Sequence, residues 1–300
     1  MNLAGSLRAA AVDIKLHHSI FALPFALLGA CLAAMDSISV KWSVIPWALI
    51  IGCMITGRTV AMLCNRILDA SIDARNQRTA QRAIPSGAIS KRAAGAMALG
   101  MAMLFILFCV LFGVLHQNWW PLWLAVPVLA WMAVYPLLKR WTWMCHGWLG
   151  ASLAISVPAA ALAVRPDAVA EPVVLWLAAM VLLWVSGFDV IYALQDVQVD
   201  RRDGLSSLPV ALGESGAMWV SAGVHAAAMG CLVMAWISEP RLGAIFQWAI
   251  VATGVLLLIE HATVRTWGTT RMALTFFTIN GCVSVVLGAS GIAGLAGIGR

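Results

Sequence analysis

Two clusters of acidic residues in this chain have a spacing that suggests chemistry. Asn65, Asp69 and Asp73 stand at i, i+4 and i+8 in "NRILDASIDARNQRTAQRAIPSG". That spacing puts them on one face of a helix. Asp189, Asp196 and Asp200 stand at i, i+7 and i+11 in "GFDVIYALQDVQVDRRDGLSSLP", with Tyr192 one turn before Asp196. Two carboxylate pairs at one place repel each other unless positive charge lies between them. Hard carboxylate oxygens suit Mg²⁺, which is commonly held by a few carboxylates together with substrate phosphates. Arg78, Arg82 and Lys139 lie close by in the sequence or the topology and suit phosphate oxygens. The pattern describes a magnesium and pyrophosphate site. The chain's two tyrosines, Tyr135 and Tyr192, both fall beside these groups, where an aromatic face stabilises a cation and a hydroxyl bonds a phosphate oxygen.

The elements that carry these residues are apolar. The chain is 62% hydrophobic and 11% charged, against about 25% charged in an ordinary soluble domain. Stretches of roughly 17–25 apolar residues, long enough to cross a bilayer, recur along it. Nine spans are expected, near 17–35, 43–64, 92–113, 121–138, 147–164, 172–194, 215–237, 244–263 and 273–297. The fold class is an all-α polytopic membrane protein, read as a single integral-membrane domain over residues 1–300. Both acidic clusters end an even-numbered span, four spans apart, which hints at an internal repeat. Arg58 lies within the second span, seven residues before Asn65 on the same face. A charge at such depth faces a cavity or a partner.

With the N-terminus inside, fourteen Lys and Arg fall on the cytoplasmic side and four, Lys41, Arg165, Arg241 and Arg300, on the other. By the positive-inside rule this places both acidic clusters at the cytoplasmic face of a plasma membrane, expected to be a bacterial inner membrane. The net charge of +6 is thus a topology signal and no argument for nucleic acid. No cleavable targeting peptide is read in the first apolar segment. The seven cysteines include no CxxC pair and read as small buried hydrophobes. The fifteen tryptophans gather near span ends as an interfacial belt. His17, His18, His146, His225 and His261 share no metal spacing and are expected to pack or anchor. Glu260 has no role that the sequence explains.

These motifs resemble the UbiA family of intramembrane prenyltransferases, in particular its 4-hydroxybenzoate polyprenyltransferase branch. The family's N-D-x-x-D-x-x-x-D reads here as Asn65, Arg66, Asp69 and Asp73. Its R-T-x-x-R-P-[IL]-P-S-G reads as "RTAQRAIPSG", and its Y-x-x-x-D-x-x-x-D as Tyr192, Asp196 and Asp200. "YPLLKR", from Tyr135 to Arg140, matches a further family element. The resemblance implies nine transmembrane helices around a central cavity open sideways to lipid. It implies one Mg²⁺ on Asn65, Asp69 and Asp73 and a second on Asp196 and Asp200. Arg78, Arg82 and Lys139 would grip the diphosphate, with Lys15 as a weaker contributor. Tyr135 and Tyr192 would lie near the diphosphate and the allylic carbon. Arg58 would orient an aromatic acceptor through its carboxylate, and Asp189 would lie near the reacting centre. Arg66 departs from the family's usual aspartate, removing one possible ligand and adding a positive charge.

The expected reaction transfers a polyprenyl group from its diphosphate to a small aromatic acid, with 4-hydroxybenzoate the first choice, in a ubiquinone-type pathway. Prenylation of 1,4-dihydroxy-6-naphthoate in a menaquinone route is the alternative, because Arg66 and the "FALPFALLGA" helix are similar to those relatives. Asp189 is the expected acceptor of the ring proton. A transporter of cations or small molecules is the rival from another class. It calls for polar groups at mid-membrane, whereas these carboxylates sit at span ends on one side. Prenyl length and oligomeric state are left open.

Overall fold

The computed structural model describes residues 21–35 and 44–298. Lys15, His17, His18 and the start of the first expected span lie outside the described residues. The described chain is helical. Its elements are α1 (Leu23–Ala34), α2 (Ile45–Leu68), α3 (Ala70–Arg75), α4 (Lys91–His116), α5 (Trp120–Leu138), α6 (Cys145–Ala154) and α7 (Ser156–Val164). They continue with α8 (Pro172–Ala193), α9 (Val197–Arg202), α10 (Leu208–Ser238), α11 (Gly243–Trp267), a π-helical segment Ala273–Ile279, and α12 (Asn280–Leu295). Eight segments are long and apolar enough to cross a membrane, and α1 is a shorter apolar helix of 12 described residues. Together they correspond to the nine spans read from hydropathy.

Local chemistry explains where the helices begin. Proline stands in the first turn of α1, α2, α5, α8 and α10, where its missing N–H costs nothing. Ser90 caps α4, its Oγ accepting from the Ala93 amide at 3.1 Å. The fifth span is interrupted at Ile155, between α6 and α7. Pro158 has no N–H to continue the helical ladder there, and Ser152 and Ser156 turn their hydroxyls back to Trp148 and Leu153 carbonyls. α10 contains a non-helical Gly213 at φ +74°, so its membrane-crossing part begins after that residue.

The helices form a closed ring. α2, α4 and α5 pack together. α5 leads to α6, α6 to α8, α8 to α10, then α11 and α12, and α12 returns to α1. At the closure Ser284 Oγ donates to the Phe21 carbonyl at 3.1 Å. The main core surrounds α8, with Phe25, Trp184, Phe188 and Phe246 fully enclosed. Several polar groups within it bond to one another, as lipid favours. Trp184 Nε1 donates to Asn280 Oδ1 at 2.8 Å, and Asn280 Nδ2 donates to Glu260 Oε1 at 2.7 Å and to the Thr275 carbonyl at 3.0 Å. Glu260, unexplained by sequence, is therefore an internal strut between α11 and α12, and Asn280 anchors the π-helical segment.

α6 and α8 approach closely because Gly150 carries no side chain. A Cβ there would lie 2.3 Å from both the Leu182 carbonyl oxygen and Ser186 Oγ. Gly150→Ala is expected to lower stability by roughly 1–3 kcal/mol, the usual cost of overpacking. The check is the thermal midpoint of purified protein in detergent. Gly147→Ala, one turn earlier with open space around its Cβ, is expected to leave that midpoint unchanged or raise it.

Candidate active site at one end of the bundle

Each acidic motif sits on a bend. α2 leaves helical geometry at Asp69 (φ −93°, ψ 6°) and resumes as α3. α8 tightens through Leu194–Asp196, leaves at Asp196 (φ −106°, ψ 2°) and resumes as α9. These angles fall in the sparsely used bridge region where active-site residues are often found. The straight ladders expected from i, i+4, i+8 and i, i+7, i+11 spacing are thus bent at the same place in both motifs. The bend at Asp69 keeps its main-chain bonds: Asp69 N bonds Asn65 O at 2.9 Å and Asp73 N bonds Asp69 O at 2.8 Å.

The bends face one chamber of about 680 Å³. Asn65, Asp69, Asp73, Asp196 and Asp200 line it, as do Arg78, Arg82 and Lys139. So do the deeper Arg58, Tyr135, Asp189 and Tyr192. Every site residue named from the sequence is brought together there except Lys15, which lies outside the described residues. Arg78 grips Asp196 with two nitrogens, at 2.5 and 3.2 Å, and donates to the Tyr192 hydroxyl at 3.0 Å. Asn76 Nδ2 adds a third bond to Asp196 at 3.0 Å. Arg82 pairs with Asp73 at 2.7 Å. Lys139 and Arg140 approach Asp69 at 3.4 and 3.3 Å. Arg140 thus belongs to the site, although its sequence position fits a solvated helix end equally well.

The carboxylates keep capacity for a divalent cation. Asp73 Oδ2 is buried and has no hydrogen-bond partner, which is costly for a carboxylate oxygen unless something positive meets it. Among the described residues no three His, Cys, Asp or Glu side chains converge on one point. A cation here would therefore take one or two carboxylates per ion and complete its shell with phosphate and water, as Mg²⁺ characteristically does. The donor set fits that ion. Asn65 is differently engaged: Arg66 donates to its Oδ1 at 2.7 Å, and its Nδ2 faces Asp69 at 3.4 Å. The arginine that stands in the motif's second place occupies the amide oxygen that would face a metal.

The deep end of the chamber changes character. Arg58, Met62, Tyr135, Leu149 and Leu153 also line a second, apolar cavity of about 360 Å³ between α2, α4, α5 and α6–α7. Arg58 Nε is buried without a hydrogen-bond partner at this junction. On the other side stands an aromatic wall. Phe276 lies 4.2 Å from Tyr192, 5.3 Å from Phe188 and 5.6 Å from Phe21, ring centre to ring centre. Asp189 accepts from His146, Oδ2 to Nδ1 at 2.7 Å. His146 was expected to pack or anchor, so this contact corrects that reading. The sequence also gave no notice of Asn76 or the phenylalanine wall. The one available signal was Phe188 beside Asp189.

A latch ties the two motif loops together outside the membrane. Asp203 accepts from Arg75 at 3.0 Å and from Arg202 at 2.9 Å. These guanidiniums, Arg202 foremost, hold its carboxyl below the usual range.

The chain matches the UbiA prenyltransferase family over residues 22–291 and belongs to it. A 4-hydroxybenzoate octaprenyltransferase of Pseudomonas savastanoi pv. phaseolicola is 32% identical over 209 residues, 69% of this chain and 67% of that protein. The apo structure of a UbiA homolog from Aeropyrum pernix K1 superposes with a TM-score of 0.79 at 32% identity, covering 92% of this chain and 97% of that one. A UbiA homolog from Archaeoglobus fulgidus bound to GPP and Mg²⁺ shares the fold, with a TM-score of 0.73 at 17% identity over 96% of this chain and 99% of that one.

Because the folded-state pKa of Asp203 is depressed, the latch contributes fully above the ordinary carboxylate range. Its contribution is lost as pH falls through the depressed value. A nitroxide at exposed position 201 (Arg201→Cys) is expected to be restrained at pH 7. It should become mobile in the Asp203→Asn background, and also in the unaltered latch on acidification. Equal mobility with and without Asp203→Asn at pH 7 would discount the latch.

Proposed function

We propose that the protein transfers a polyprenyl group from a polyprenyl diphosphate to 4-hydroxybenzoate, in ubiquinone-type quinone biosynthesis, releasing diphosphate. The observation that carries this reading is the position of Arg58. Among the described residues no carboxylate pairs with it, its Nε is buried without a partner, and it stands where the polar chamber meets the apolar cavity. A half-buried guanidinium whose Nε is buried without a partner is suited to an anion. A small aromatic carboxylate satisfies it and sets an apolar ring beside the chamber.

The remaining residues supply the other half of the reaction. Arg78, Arg82 and Lys139 bind the diphosphate and stabilise the charge it gains as it leaves. Asp69, Asp73, Asp196 and Asp200 would hold Mg²⁺, with Asn65 joining through the Oδ1 lone pair that Arg66 leaves free. When bound, that ion neutralises the phosphate oxygens and eases departure of the diphosphate. The bond from C1 to oxygen breaks with its electron pair going to diphosphate, leaving an allylic cation beside Tyr192, Phe188 and Phe276. The ring carbon ortho to the hydroxyl gives its π electrons to C1. Asp189 takes the proton from that carbon, and the ring recovers its aromaticity. The apolar walls exclude water that would otherwise capture the cation. The charge asymmetry of the loops supports a chamber open to the cytoplasm, with the prenyl tail entering from lipid. The second acceptor is 1,4-dihydroxy-6-naphthoate, on the resemblance of Arg66 and the "FALPFALLGA" helix to relatives that use it; its carboxylate would meet Arg58 equally.

The test is product formation by purified protein in lipid, given a polyprenyl diphosphate, Mg²⁺ and each acceptor in turn. Prenylated 4-hydroxybenzoate is expected. Asp69→Ala and Asp196→Ala should each cut kcat at least about 100-fold. Arg58→Ala should raise KM for the acceptor and leave KM for the diphosphate unchanged. Product from the naphthoate alone would move the enzyme to a menaquinone route. No product from either, across several prenyl lengths, would overturn the aromatic reading.

A further inference from the structure

His146 has both ring nitrogens committed, and the commitments fix its chemistry. It is the second residue of α6 and is buried against α8 and the start of α10. The Leu208 amide donates to Nε2 at 3.3 Å. A main-chain N–H only donates, so this bond assigns a lone pair to Nε2 and the proton to Nδ1. That proton is donated to Asp189 Oδ2 at 2.7 Å. Leu208 is the first residue of α10, and its amide is one of the donors that a helix start leaves without an internal partner. The main chain of α10 therefore selects the imidazole tautomer.

We propose that His146 is a positioning residue for prenyl transfer. With its Nδ1–H fixed toward the carboxylate and its Nε2 turned to the Leu208 amide, it holds Asp189 Oδ2 and leaves Oδ1 to receive the ring proton. This rests on the reading of Asp189 given above. Asp189 lines the chamber, its side chain is 20% exposed, and Oδ2 is the oxygen bound to His146. His146 does not relay the proton onward, because Nδ1 already carries one and Nε2 is filled by the amide. The proton stays on Asp189 until the product leaves, then passes to water in the opened chamber. The arrangement also links the two ends of the reaction. The segment that supplies Leu208 is bonded through Ser206 N to the Lys139 carbonyl at 2.6 Å and through the Ser206 carbonyl to Cys145 Sγ at 3.6 Å.

The experiment compares wild type with His146→Leu, His146→Asn and His146→Gln. It measures kcat, both KM values, and the isotope effect with acceptor deuterated at the carbons ortho to the hydroxyl. His146→Leu is expected to lower kcat roughly 10- to 100-fold, the range seen when an orienting partner is removed. KM for the prenyl diphosphate should be unchanged. The isotope effect on kcat should rise above the wild-type value, because proton removal becomes slow. Asn places an amide N–H where the imidazole Nδ1–H stands, whereas Gln reaches only the Nε2 position, so His146→Asn should recover most of the rate and His146→Gln should not. A merely structural role would move none of the isotope effect and would not separate Gln from Asn. If His146→Leu fails to fold, the Gln and Asn variants decide between these outcomes. An active wild type with an indifferent Leu variant, or with Asn no better than Gln, overturns this proposal alone. A wild type that prenylates no aromatic acid overturns the underlying reading and this proposal with it.

Discussion

Acidic groups cannot be gathered at one end of a membrane bundle unless cations are built in among them. That constraint organises the rest of the structure. Asp196, at the end of α8, is held by Arg78 and Asn76 from the loop that follows α3. Asp69, at the end of α2, is met by Lys139 and Arg140 from the end of α5. Each carboxylate thus depends on cations from another part of the chain, and the chamber exists only when the ring of helices has closed. As isolated surface pairs these contacts would contribute about 0–1 kcal/mol each. Their importance is positional. Arg78 and Arg82 line the same chamber as the carboxylates they neutralise.

The hydrocarbon around the bundle imposes the complementary rule. Below the charged layer every polar group must find a partner within the protein. Trp184, Asn280 and Glu260 meet it in part by bonding to one another, with Glu260 Oε1 satisfied and its Oε2 buried without a hydrogen bond. Arg58 departs from it at the junction of the polar and apolar cavities. Of the buried polar atoms without a partner among the described residues, Arg58 Nε is the one whose side chain borders both the polar chamber and the apolar cavity.

Much of this was legible in the sequence, for identifiable reasons. Hydropathy alone delimits the spans, because a helix in lipid must be apolar over a fixed length. The convergence of Asp69, Asp73, Asp196 and Asp200 follows from helical spacing and the parity of the spans. The bends at Asp69 and Asp196 were not legible, because both lie inside segments whose periodicity continues through them. His146 was hidden differently. Its partners, Asp189 and Leu208, are remote in sequence, and a lone histidine at a helix start has no local pattern. Arg66 was visible as a departure from the motif, but its bond to Asn65 is a matter of side-chain direction that spacing does not encode. The aromatic wall was scattered across Phe21, Phe188 and Phe276, residues that read separately as ordinary apolar positions.

The π-helical segment Ala273–Ile279 bears on how such a chamber can diversify. A π turn amounts to one residue more than an α-helix would use, and such turns recur at functional sites. One residue corresponds to about 100° of rotation around the helix axis. The segment carries Phe276 and Phe277, which line the chamber, while α12 beyond it is anchored by Asn280 and closes the ring against α1. Gaining or losing a single residue here would turn the phenylalanines relative to the chamber, at the cost of the Phe276–Phe21 contact. The chamber therefore has one wall whose shape evolution can revise in single-residue steps, separate from the charged layer that the chemistry holds fixed.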